Sequence, residues 1–184
     1  ASKRSVRLGL AASITNRKGK IMASTTAQNF EQVGYNGGLS QQRGAARAII
    51  GEAVATRTLT AKESGALCLF DRAAGVVYTL PTPVIGMQFE FATTVTITSN
   101  AAKVITSAGT EFLLGALDMV IVASATSLAA TGNGTTHRAI SSNGTTTGGV
   151  IGDRYRLTAI SSTQWLVDGM LSGSGSLATP FATS

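Results

Sequence analysis

From Arg57 onward, apolar and polar residues alternate in short runs with turn residues between them. The cleanest run is "MQFEFA" (87–92), which puts Met87, Phe89 and Phe91 on one side and Gln88 and Glu90 on the other. "DRYRLTAI" (153–160) does the same, with Tyr155, Leu157 and Ala159 opposite Arg154, Arg156 and Thr158. "RTLTA" (57–61), "ALCLF" (66–70), "VVYTL" (76–80), "TVTIT" (94–98), "KVITS" (103–107), "EFLL" (111–114), "DMVIVAS" (118–124) and "TQWLVDGM" (163–170) complete the set. Short strands at this spacing, with Ser-Gly, Pro and Asn turns between them, predict an all-β fold: an antiparallel β-sandwich, jelly-roll-like, over 56–170. Trp165, Leu157, Phe89 and Phe91 are expected to point into its core.

Residues 1–55 have a different texture, with scattered apolar groups and no strand-like alternation. They read as an extended N-terminal arm. The spacing of Ala46, Ile49, Ile50 and Ala53 permits a short helix between Ala45 and Ala55, weakened by Gly51. Within 129–150, "NGTT" occurs at 133–136 and again at 143–146. Asn-Gly is the strongest two-residue hairpin signal, so a protruding hairpin with a flexible tip is expected there. Asn133 and Asn143 also head Asn-x-Thr triplets; nothing suggests secretion, and these are read as incidental. Residues 171–184, "LSGSGSLATPFATS", read as a Gly/Ser-rich tail ending in an apolar Pro180-Phe181 patch.

Charge sharpens the division. Only 13% of the 184 residues are charged, and the net charge is +6. Lys3, Arg4, Arg7, Arg17, Lys18 and Lys20 supply that excess, while the other nine basic residues match nine acidic ones. A neutral body with a basic arm is built to dock the arm on an anionic surface, with salt-dependent strength. A nucleic-acid binder would place basic or aromatic residues on the body too, so nucleic acid is disfavoured as a partner. No apolar run approaches the ~20 residues of a membrane span, and none reads as a signal peptide; no membrane partner is expected.

Catalytic signatures are missing. The single histidine, His137, lies in the Gly/Thr-rich hairpin segment, and no G-x-S-x-G elbow presents a nucleophile. The single cysteine, Cys68, sits among apolar neighbours in "ALCLF" and reads as a small hydrophobe. Asp118, Asp153 and Asp168 fall near strand ends, where capping or an arginine partner is the ordinary role. No carboxylate pair suits glycoside cleavage, and no phosphate, dinucleotide or calcium loop is present. The reading is of a protein that is not an enzyme, with no catalytic residue, cofactor or metal.

"TLTAKESGALCLFDRAAGVVYTLPTPVIGMQFEFA" contains a turn at Ser64-Gly65, then G-x-x-x-T-L-P, then G-x-x-F-x-F. With the closing "GDRYRLTAISSTQWLVDG", it resembles the small β-domains of tailed-bacteriophage virion proteins, among them capsid decoration (cement) proteins. The resemblance covers about residues 56–170 and leaves out the basic arm. It implies a structural protein on the outer surface of the virion capsid, bridging subunits of the major capsid protein. It also implies a homo-oligomer, with a trimer ahead of a dimer. The arm residues Lys3, Arg4, Arg7, Arg17, Lys18 and Lys20 would then anchor it to the shell. A head-fibre or tail-associated module is the alternative.

Overall fold

The computed structural model describes Arg47–Ser184 apart from Glu52 and Val122. These residues fold as all-β. Their strands are β1 (Ile49–Ile50), β2 (Thr56–Thr58), β3 (Leu67–Phe70), β4 (Val77–Thr79), β5 (Gln88–Thr93) and β6 (Ala102–Ile105), followed by β7 (Phe112–Ile121), β8 (Thr126–Asn133), β9 (Ala139–Ser142), β10 (Arg154–Ala159), β11 (Gln164–Ser172) and β12 (Phe181–Ala182). The helical content among the described residues is one 3-10 turn, Ala61–Glu63.

The strands form two sheets, one in the order β1-β3-β5-β10-β11-β7-β8 and the other β12-β9-β6-β4-β2. Both are mixed, which corrects the antiparallel expectation. From β1 to β6 the chain changes sheet at every step, so strands two apart in sequence become neighbours and run the same way. Thus β1, β3 and β5 pair in parallel in the larger sheet, as do β2, β4 and β6 in the smaller. The hairpins β7–β8 and β10–β11 are antiparallel, but β11 lies parallel to β7 over Gln164–Ser172.

The alternation read from the sequence sets which side chains the two sheets share. Phe89, Phe91, Leu157 and Trp165 are fully buried. An aromatic cluster joins the sheets: Tyr78 of β4 meets Phe70 and Phe91 of the larger sheet at ring-centroid distances of 5.5 and 5.6 Å. Phe91 stacks in turn on Tyr155 at 5.4 Å. The Tyr78 hydroxyl donates to the Leu69 carbonyl at 2.8 Å, so its polar end is satisfied inside the core.

Several expectations are revised. Ile49 and Ile50 form a strand beside Leu67 and Cys68, and no helix occurs among the described residues of 45–55. Two β-branched residues followed by Gly51 suit an extended edge better than a helix. "TVTIT" is a bend, because its N–H groups serve separate segments: Val95 donates to Phe70, Ile97 to Gly149 and Thr98 to Ala73. "EFLL" and "DMVIVAS" are parts of one strand, β7. Gly115 lets it pass unbroken: its φ is +129°, and a Cβ there would strike the Val167 carbonyl of β11.

The segment 129–150 is no protruding hairpin. β8 belongs to the larger sheet and β9 to the smaller, and each "NGTT" makes a turn between sheets. The two turns are built alike. Asn133 Oδ1 accepts from the N–H groups of Thr135, Thr136 and His137, and Asn143 Oδ1 from those of Thr145, Thr146 and Thr147. The second turn is packed in place, since a Cβ on Gly144 would collide with the Ile97 carbonyl.

The C-terminal Gly/Ser segment also returns to the body. Ser174 and Ala178 donate to Thr145 and Thr146, and β12 then pairs with β9 and buries Phe181.

Candidate functional site

Lys3, Arg4, Arg7, Arg17, Lys18 and Lys20, the proposed anchoring residues, lie outside the described residues. Among the described residues no three His, Cys, Asp or Glu side chains are grouped to hold a metal ion, and no helix is long and apolar enough to cross a membrane.

His137 closes the first Asn-Gly turn. Its Nδ1 accepts from the Asn133 N–H at 3.3 Å, and its ring stacks on Phe181 at 5.7 Å. Thr147 Oγ1 does the same work in the second turn, accepting from Asn143 at 3.0 Å, so a hydroxyl replaces the imidazole at the matching position. Cys68 lies on β3 with no exposed surface. Burial pushes its thiol up to about 12, with the nearby Glu63 charge adding to the rise. A thiol so placed holds almost no thiolate at neutral pH and is a poor nucleophile. A soluble thiol reagent should therefore leave the native protein unlabelled and modify Cys68 stoichiometrically in denaturant. Fast labelling of the folded chain would contradict this burial.

The acids take supporting positions. Asp168 pairs with Arg156 across the β10–β11 ladder at 3.0 Å. Asp153 is almost completely buried and accepts from three backbone N–H groups: Gly149 at 2.8 Å, Val150 at 3.0 Å and Ser172 at 2.7 Å. It holds the second Asn-Gly turn against the end of β11.

Among the described residues, the outward face of the larger sheet is a wide arrangement left uncovered by any strand. The pairing registers place Leu67, Glu90, Arg156, Asp168, Ala116 and Thr131 in one row across β3, β5, β10, β11, β7 and β8. The row alternates in charge at its centre, and Arg47 extends it by bonding Glu90 at 3.0 Å. Arg47 is itself fixed, donating to the Gly65 and Ala66 carbonyls at 2.7 and 3.1 Å. Beside this row lie Arg154, Met170 and Asp118 on one side and Gln88, Thr158, Leu166 and Leu114 on the other. Met170 is 54% exposed and Leu166 39%. A shallow depression of about 180 Å³ opens among Glu90, Arg154, Tyr155, Arg156, Asp168 and Gly169.

This face carries three arginines and three carboxylates, so it is locally neutral while rich in exposed charge. Its ion pairs contribute little to stability, under about 1 kcal/mol each, because both partners are solvated. Arg156 and Asp168 are exposed enough to exchange partners with a complementary surface, and the exposed aliphatic side chains supply area to bury. The chemistry suits a broad contact more than capture of a small molecule. The alternation in 87–92 and 153–160 foretold which side chains face outward; which of them stand side by side depends on strand order, which no local signal encodes. Comparison of the chain with protein-family models, curated proteins and solved structures finds no match.

Proposed function

We propose that this chain is a structural virion protein, a capsid decoration protein that binds the outer face of an icosahedral head and bridges major capsid protein subunits. The observation that carries the reading is the open face of the larger sheet, a wide surface mixing paired charges with exposed Leu166 and Met170 and covered by no described strand. In this reading the two sheets are the layers of a sandwich between which the chain repeatedly crosses, as in a jelly roll. The basic segment preceding Arg47 serves as an arm whose Lys3, Arg4, Arg7, Arg17, Lys18 and Lys20 dock on acidic patches of the shell, while Ile49 and Ile50 belong to the body as β1. An arm ordered on docking adds contact area at an entropic cost, and repeated copies on a lattice add avidity. The neutral, Ser/Thr-rich body suits a particle coat.

The alternative, a head-fibre or tail-associated module, draws on the winding of β1 to β6. Successive parallel coils are how β-solenoids stack, and such coils suit an elongated structure. The copy number of the chain in purified virions, relative to the major capsid protein, separates the two.

The test is mechanical. A protein that binds the assembled shell and not its dissociated subunits stabilises the shell by linkage. Particles carrying this chain should release their genome at higher temperature or lower salt than stripped particles. Deleting residues 1–20 should weaken co-sedimentation with bare capsids and flatten its salt dependence, with the β-sheet circular dichroism signal retained. Stripped particles as robust as decorated ones would remove the decoration reading.

A further inference from the structure

Among the described residues, the long β8 edge of the larger sheet has no strand beyond it. β8 pairs with β7 in unbroken register from Asn133 opposite Leu114 to Thr126 opposite Ile121. On its other side, no backbone group from Thr126 to Gly132 meets a strand partner among the described residues. An antiparallel strand of this length turns about four N–H and about four C=O groups outward. Folded proteins guard such edges with lysine, proline, a bulge or a covering segment. The sequence of β8, TSLAATGN, has neither charge nor proline. The other edges are cut short, with two residues in β1, three in β2 and two in β12.

We infer that β8 is a self-association edge, pairing antiparallel with β8 of a second copy of this chain across a twofold axis and joining two larger sheets into one. Length selects the occupant, since among the described sheet edges only another β8 approaches this length. Charge agrees with symmetry. A twofold contact pairs residue i with j and j with i, so any charge on β8 would be duplicated along the seam and repel its copy, and β8 carries none. The exposed Ser127, Ala129 and Thr131 are small enough for two strands to approach at ladder distance. Leu128, half-buried against the core, would gain cover from the second copy. A twofold pair makes the dimer the unit, where the resemblance put a trimer ahead. The inference stands whether or not the chain decorates a capsid.

Sedimentation velocity of the full chain over a concentration series, beside Ala129→Lys and Thr158→Lys, tests it. The wild type should sediment as a dimer at high concentration. Ala129→Lys, which sets two ammonium groups across the pairing, should weaken self-association about tenfold or more. Thr158→Lys, on the open face of the same sheet, should leave it unchanged. In mild oxidant, one of Ser127→Cys, Ala129→Cys and Thr131→Cys should form a disulfide dimer, while the buried Cys68 of the parent should not. These crosslinks decide the question even if the lysine variant folds poorly. A wild type that stays monomeric overturns the inference, as does a dimer indifferent to Ala129→Lys or an absence of crosslinks at all three positions. A monomer that binds bare capsids only with Ala129 intact also overturns it, because the edge then receives a foreign strand.

Discussion

Phe91→Ala should destabilise the protein by about 3–5 kcal/mol, the usual cost of emptying an aromatic site in a packed core. The melting midpoint should fall by on the order of 10 °C or more for a body of this size. Phe91 has no exposed surface and touches three rings: Phe70 and Tyr155 of its own sheet and Tyr78 of the other. Its removal opens the junction between the sheets, where neither can collapse without moving its ladder. Gln88→Ala, three residues earlier on the same strand and outward-facing, should shift stability by no more than about 0.5 kcal/mol. Equal effects at the two positions would mean that the inward and outward faces of β5 are misassigned.

Asp153→Ala should cost about 3 kcal/mol or more. It leaves the N–H groups of Gly149, Val150 and Ser172 without their acceptor, and a buried unsatisfied donor costs about 1–3 kcal/mol. Hydrogen exchange at these three amides should accelerate first, since the second Asn-Gly turn is what the carboxylate holds. Protection unchanged from wild type would show that the turn is held by other contacts. The pH dependence adds a second reading of this site. Burial pushes the Asp153 carboxyl above its ordinary range, outweighing the backbone N–H groups that pull it down. The native state therefore takes up this proton at higher pH than the unfolded chain. Burial penalises the charged form above the native pKa; that penalty is relieved as pH falls through it and is gone below the unfolded pKa. Glu63 has the opposite sign. Burial raises its carboxyl, but hydrogen bonds from Arg57 and Thr60 hold it lower overall, so its contribution is lost on acidification. Asp153→Asn isolates the one group: the stability of wild type relative to this variant should increase as pH is lowered from neutral. A difference that shrinks would show that the three N–H groups outweigh burial.

The sequence alone determined the inward and outward sides of β5 and β10, the four core residues, Trp165 of β11 among them, and the reading of Cys68 as a small hydrophobe. Each is a local matter. A pleated strand alternates its side chains with period two, and water excludes the apolar set whatever strand lies alongside. β8 escaped notice because "TSLAATGN" carries almost no alternation; its small residues become a strand only where β7 offers a ladder. β7 read as two strands because Gly115 looks like punctuation, until its neighbour Val167 shows that a side chain there has no room. The open charged face was legible as outward residues, but its row from Glu90 to Arg156 to Asp168 sets β5 beside the β10–β11 hairpin, from which it is distant in sequence. Parallel or antiparallel pairing was likewise decided by the tertiary structure. Direction depends on whether the chain turns back within a sheet or crosses to the other, and that choice rests on how the two apolar faces jointly fill one core. No window of sequence contains both faces.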